Sequence, residues 1–235
     1  MSMLTVVQTI CGEIGVPVPT TVYGTTDTLV LQLLRLVEKE GIDLSKRGDW
    51  QALTFEATHT TTAAEDQGAI TSIATNGFRH VKQETMWDRT DTLPVPLIGS
   101  TAWQRMKAIV VTGPRYRYRL RGGKLLMSPT PASGHTLAFE YISKNWILGV
   151  DGTTYKQRFT LDTDTILLSE DLIQQGTIWR WKKEKGFEYA EDFRTYEAMV
   201  KTELGRDGGK ETLHMDGQPH SSQPGVFVPQ YNWNL

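Results

Sequence analysis

The chain has 235 residues, 39% apolar and 22% charged, with 25 basic against 27 acidic side chains and a net charge of −2. That balance excludes a disordered or fibrous chain and gives no general electrostatic pull toward nucleic acid or membrane. Apolar runs such as Ala108–Val111 fall far short of the roughly 20 residues that span a bilayer, and the single cysteine, Cys11, excludes an intramolecular disulfide and predicts a reducing, cytosolic setting.

The first segment, with Leu4, Val6, Val7, Ile10 and Ile14 on one helical face, has no basic region or cleavage site, so no signal peptide is expected. Pro17 and Pro19 end it. A second helix is predicted from about 27 to 47, capped by Asp27 or Thr26, with Val30, Leu34, Val37, Gly41 and Leu44 forming its apolar stripe. Gly41 on that stripe marks either a close approach or a break.

From Trp50 the texture becomes β-like. Strands are expected around Thr54–Thr62, over Ala69–Ile73 and from His80 to Trp87, with a turn at Asn76-Gly77. Ser100 is a candidate cap for a short helix carrying Trp103. The strongest hairpin signal follows, Arg115 to Met127 about Gly122-Gly123, in which Arg115, Arg117, Arg119 and Arg121 alternate with Tyr116, Tyr118 and Leu120. Leu137, Phe139 and Tyr141 mark a further half-buried strand, and Asp151-Gly152 a second tight turn. The spacing predicts a compact antiparallel sandwich or barrel.

Ser169-Glu170-Asp171 opens a helix with a hydroxyl cap and acids in its first turn. Trp179 and Trp181, two positions apart, cannot share one helix face, so one of them is expected to meet a neighbouring chain or the β region. A last helix carries Tyr189, Phe193, Tyr196 and Val200 and ends near Leu204-Gly205. The fold class is therefore α+β. A helical bundle is expected from residues 1–49 and 168–205, with a β-rich insertion over 50–167 and an extended arm over 206–235. The arm begins polar and ends in Val226, Phe227, Val228, Tyr231 and Trp233, an aromatic tip suited to binding another chain or to folding back on its own core.

Motifs for chemistry are sparse. The sequence contains no nucleophile elbow, phosphate-binding glycine loop or Cys-x-x-Cys, and His59, His80, His135, His214 and His220 do not fall at metal-ligand spacing. No catalytic, cofactor or metal residues are assigned, and no enzymatic activity is expected. Asp162-Thr163-Asp164 fits a cation-binding pair or a turn, and the turn is favoured. The arginine ladder suits phosphate contacts, an acidic neighbouring subunit or a solvated sheet face.

Two stretches carry a family resemblance. Leu33–Trp50, an amphipathic helix ending in Lys46-Arg47-Gly48-Asp49-Trp50, and Leu172–Glu197, with Arg206-Asp-Gly-Gly209 after it, resemble the head-to-tail adaptor proteins of tailed bacteriophages, such as podovirus tail tubular and tail accessory factor adaptors. The resemblance implies a homo-oligomeric ring, usually of twelve copies, that docks on the portal protein. It would continue the DNA channel without sequence-specific binding and join a tail or nozzle protein in the virion. Some members of that group are linked to cell-wall hydrolysis, which no recognisable carboxylate pair here supports. The alternatives are a tail-completion or terminator protein at another virion joint, a peptidoglycan-degrading virion enzyme, and a DNA-binding module using the ladder.

Overall fold

A computed structural model describes residues 1–109, 113 and 115–208. Helix α1 (Met3–Ile14) starts at Ser2, whose hydroxyl accepts the Thr5 N–H, and stops at Gly15 in the left-handed conformation. Its apolar face buries Met3, Val6, Val7, Ile10 and Cys11. Helix α2 (Thr28–Leu44) is capped by the Asp27 carboxylate, which accepts the Leu29 N–H. It runs unbroken through Gly41, where a side-chain carbon would overlap the six-membered ring of Trp146. Gly41 thus permits a close approach, but of an indole from the β region and not of another helix.

A short 3-10 turn at Gln51–Leu53 leads to β1 (Thr54–Thr60) and β2 (Asp66–Ala69). Ile70–Ile73, expected as strand, instead forms the single helical turn α3. Burial of Ile70 in the β core outweighs the β preference of the two isoleucines. The strand expected over His80–Trp87 is likewise split, into β3 (Phe78–Val81) and β4 (Trp87–Asp88). Strand β5 (Leu93–Pro94) and helix α4 (Ser100–Ala108) follow. Gly99 is the N-cap of α4, and the Ser100 hydroxyl is turned to Arg119 instead of capping.

The hairpin forms as expected, from β6 (Arg117–Arg121) and β7 (Lys124–Ser128). Strand β8 (Thr136–Ser143) is the longest, and it pairs antiparallel with β1 on one edge and with β3 and β4 on the other. Three two-residue strands, β9 (Ile147–Leu148), β10 (Tyr155–Lys156) and β11 (Thr165–Ile166), make a small antiparallel sheet. Helices α5 (Glu170–Lys185) and α6 (Ala190–Asp207) complete the described chain. Ser169 stands at the N-cap of α5 without a side-chain capping bond, and α6 runs beyond the expected end to Asp207. The Asp207 carboxylate accepts the Gln51 N–H at 2.7 Å, so the arm expected from 206 begins inside a helix that is tied to the β entry.

The molecule is mixed α+β with antiparallel sheets and two apolar cores. The sheet β1-β8-β4-β5 packs against the sheet β2-β7-β6 through Ala57, Leu137, Phe139 and Tyr141 on one side and Tyr118, Leu125 and Met127 on the other. The second core gathers α1, α2, α5 and α6. It also takes in Ile142, Trp146, Ile147, Phe159 and Ile166, so the last part of the β region packs with the helices. Helix α5 lies against α1, α2 and α6, which is why both Trp179 and Trp181 are buried within this one chain. Trp179 meets Tyr189, Phe193 and Tyr196, while Trp181 stacks on Phe187. A central helix covered on opposite sides buries both, in the core that the helices share with the end of the β region. No helix among the described residues is long and apolar enough to cross a membrane.

The Asp162–Asp164 pair serves the turn reading. Asp162 accepts the Val22 and Tyr23 N–H groups, and its backbone carbonyl accepts the Leu4 N–H. Asp164, fully buried, accepts the Thr160 and Leu161 N–H groups and the Lys156 ammonium. Burial opposes ionisation of Asp164, but those donors outweigh it and hold its carboxyl below the usual range. A depressed folded pKa contributes stability above the unfolded value of about 4 and loses it as pH falls through the folded one. Asp164→Asn is therefore expected to lower unfolding free energy by about 1–3 kcal/mol at neutral pH. Its gap from wild type should narrow in urea melts below about pH 4. A gap independent of pH would contradict the assignment.

Candidate interaction surfaces

The two stretches that carry the family resemblance meet in space. Glu40 on α2 is fully buried, and its carboxylate accepts hydrogen bonds from Arg180 Nε on α5 and from the Tyr196 hydroxyl on α6. Arg180 also donates to Asp43 at 2.9 Å, Arg47 bonds both Asp43 at 3.3 Å and Glu197 at 2.6 Å, and the Arg47 guanidinium stands 5.3 Å from the Tyr196 ring centre. Gly176 makes room for this arrangement, since a side-chain carbon there would overlap the Glu40 carboxyl. Burial pushes the Glu40 carboxyl up, against the Tyr196 and Arg180 hydrogen bonds that pull it down. Burial beside Glu40 also pushes the Tyr196 phenol up, so it remains a donor. Three helices are thereby registered by one polar lock. The sequence reading missed it, although Glu40 falls between Val37 and Gly41 on the apolar stripe, where a carboxylate requires a partner.

At the turn from α5 to α6, three aromatic side chains reach solvent: Phe187 at 56% exposure, Tyr189 at 36% and Phe193 at 39%. The Lys183 ammonium lies 6.0 Å from the Trp179 ring centre and 5.9 Å from that of Tyr189. This elbow is an apolar, basic-edged surface of the kind that marks protein contacts.

The arginine ladder is not the free row of four that alternation suggested. Strand β6 starts at Arg117, so Arg115 lies outside it, exposed. Arg119 is half-buried and donates to the Ser100 hydroxyl on α4 at 2.7 Å. Arg117 and Arg121 remain exposed on the outer face, and neither pairs with a carboxylate among the described residues. Tyr118 on the opposite face is buried, which pushes its phenol up to about 12.

The outer face of the other sheet carries a shallow concavity of about 450 Å³ lined by Glu56, Thr85, Trp87, Arg89, Thr92 and Glu140, among others. Glu56 and Glu140 are direct cross-strand partners, an unfavourable like-charge pair offset by Arg89 on Glu56 and by Lys82 at 3.7 Å from Glu140. Trp87 lies opposite Ala138 on the same face, half-buried. Nearby, Asp88, Asp91 and His135 bring oxygen and nitrogen ligand atoms within 4.8 Å of one another, a grouping that sequence spacing did not reveal. The buried Asp88 already accepts the Thr90 and Asp91 N–H groups on one oxygen, and its other oxygen lies 2.8 Å from His135 Nδ1. These bonds clasp the turn after β4 to the start of β8.

The expected arm residues Val226, Phe227, Val228, Tyr231 and Trp233 lie outside the described residues. No protein-family model and no curated protein matches the chain.

Proposed function

We propose that the chain is a structural head-to-tail adaptor of a tailed bacteriophage, whose copies form a ring on the portal protein and connect the DNA channel to the tail or nozzle. The observation that carries this reading is the polar lock. The stretches Leu33–Trp50 and Leu172–Glu197, on which the resemblance rests, supply both sides of one buried network through Glu40, Asp43, Arg47, Arg180, Tyr196 and Glu197. The exposed elbow of Phe187, Tyr189 and Phe193 adds a surface that a subunit of an assembly would cover. In this role the neck of the virion is the site of action, and the aromatic tip of the arm, Phe227, Tyr231 and Trp233, pins the subunit to the portal or to the next copy.

Deleting residues 209–235 leaves α6 and the Asp207–Gln51 bond intact. The truncated chain is expected to keep its melting temperature but to stop co-sedimenting with portal rings. Unaltered co-sedimentation would remove the arm from the interface.

A further inference from the structure

The two outer faces of the β sandwich point away from each other, one presenting arginines unpaired among the described residues and the other a facing pair of carboxylates. Residues alternate about the shared core: Tyr118, Leu125 and Met127 face inward from one sheet, and Ala57, Leu137 and Phe139 from the other. Arg117 and Arg121 therefore point outward on one side, while Glu56 and Glu140 point outward on the opposite side. On the ladder side Lys124 pairs in register with Arg121, and the Lys124 ammonium is held by Asp66. In the concavity, Glu56 and Glu140 face each other across β1 and β8, with Arg89 on Glu56 and Lys82 beside Glu140. Lys82 reaches Glu140 only at 3.7 Å, so the Glu140 carboxylate keeps room for a better donor.

We propose that the arginine face of one copy, through Arg117 and Arg121, seats on the Glu56–Trp87–Glu140 groove of a second copy. A guanidinium is suited to that groove, because it can donate in a fork to a carboxylate while its plane lies on the Trp87 indole. The two mating patches are different surfaces on opposite sides of one unit, so the contact is head-to-tail. Such contacts generate a ring when the rotation closes and a filament when it does not. The proposal refines the adaptor reading by naming the faces that join copies, and ring closure rests on that reading. The contact itself does not.

The test uses the full chain and two charge-reversed variants, Arg117→Glu/Arg121→Glu and Glu56→Lys/Glu140→Lys, followed by sedimentation velocity at low salt. All four positions are at least partly exposed, so both variants should melt like wild type. Wild type is expected to self-associate, with the dissociation constant raised at least about tenfold in each variant and by 0.5 M salt. A one-to-one mixture of the variants should associate again, since each supplies a face complementary to the other. A monomeric wild type, a variant that associates as wild type does, or a mixture that stays monomeric would overturn the proposal. So would loss of duplex-DNA binding in the arginine variant with self-association unchanged, because the ladder would then be a phosphate-binding face. None of these outcomes bears on portal binding through the arm, which the truncation tests separately.

Discussion

Replacing Glu40 with alanine is expected to lower the unfolding free energy by about 3–5 kcal/mol, the usual cost of removing one partner from a buried ion pair. For a chain of this length that corresponds to a fall in melting temperature on the order of 10 °C. The loss does not measure attraction between Glu40 and Arg180. It arises because Arg180, with a side chain 13% exposed, loses the Nε acceptor and keeps only Asp43, while the buried Tyr196 hydroxyl is left without an acceptor. Three comparisons separate that account from simple loss of packing. Tyr196→Phe, which removes one neutral donor, should cost only about 1–2 kcal/mol. Glu40→Ala combined with Arg180→Met should cost less than Glu40→Ala alone, since no charge is then stranded. The raised Glu40 pKa gives wild type a stability term that is fully present below the unfolded value and lost as pH rises through the folded one. Glu40→Gln should lack that slope. A Glu40→Ala chain within 1 kcal/mol of wild type by denaturant titration would dismiss the lock as a determinant of the fold.

The second large effect concerns Trp146, which is fully buried, meets Phe159 edge-on at 5.3 Å and lies in the notch that Gly41 leaves in α2. Trp146→Ala should cost about 3–5 kcal/mol, because a large cavity opens where the β region meets the helices. Its Nε1 has no acceptor among the described residues, so the loss is one of packing and not of a hydrogen bond. Gly41→Ala sets two effects against each other. Helix propensity favours alanine by about 1 kcal/mol, whereas overpacking against the indole costs about 1–3 kcal/mol. The clash should win, and Gly41→Ala should destabilise wild type. In the Trp146→Ala background the clash is gone, so the same substitution should become stabilising. A change of sign in this double-mutant cycle, read by urea titration, is the expected result. An unchanged sign would mean that Gly41 serves no close approach.

These contacts show where the sequence was legible. Periodicity located α1, α2 and α6, because each presents apolar residues at helical spacing, and α5 was marked by Ser169 and the acids of its first turn. The Gly122-Gly123 hairpin was equally plain, since both glycines adopt the left-handed conformation that a tight hairpin demands. What failed depended on partners distant in sequence. Ile70–Ile73 has strand-like residues but turns once as helix, because Ile70 enters the β core there. Trp179 and Trp181 share no helix face, and both are buried because α5 is enclosed by α1, α2 and α6. Glu40 sat in a charged run, Glu38-Lys39-Glu40, that resembles a solvated surface, and only its place beside Gly41 on the stripe hinted at burial.

The candidate surfaces were partly legible. Alternation placed Arg117 and Arg121 correctly on an outer face, but the engagement of Arg119 by Ser100 follows from the position of α4, which the hairpin sequence does not encode. The opposed groove leaves no mark in the sequence, because Glu56, Trp87 and Glu140 come together only through the register of β1, β8 and β4.

The most direct test is one image, from electron microscopy of the purified chain mixed with its cognate portal ring. The adaptor reading predicts a second ring of density on the tail-side face of the portal, with one copy per portal subunit and the channel continuous through both. Portal rings left bare, with the chain dispersed as single molecules at saturating concentration, would contradict it.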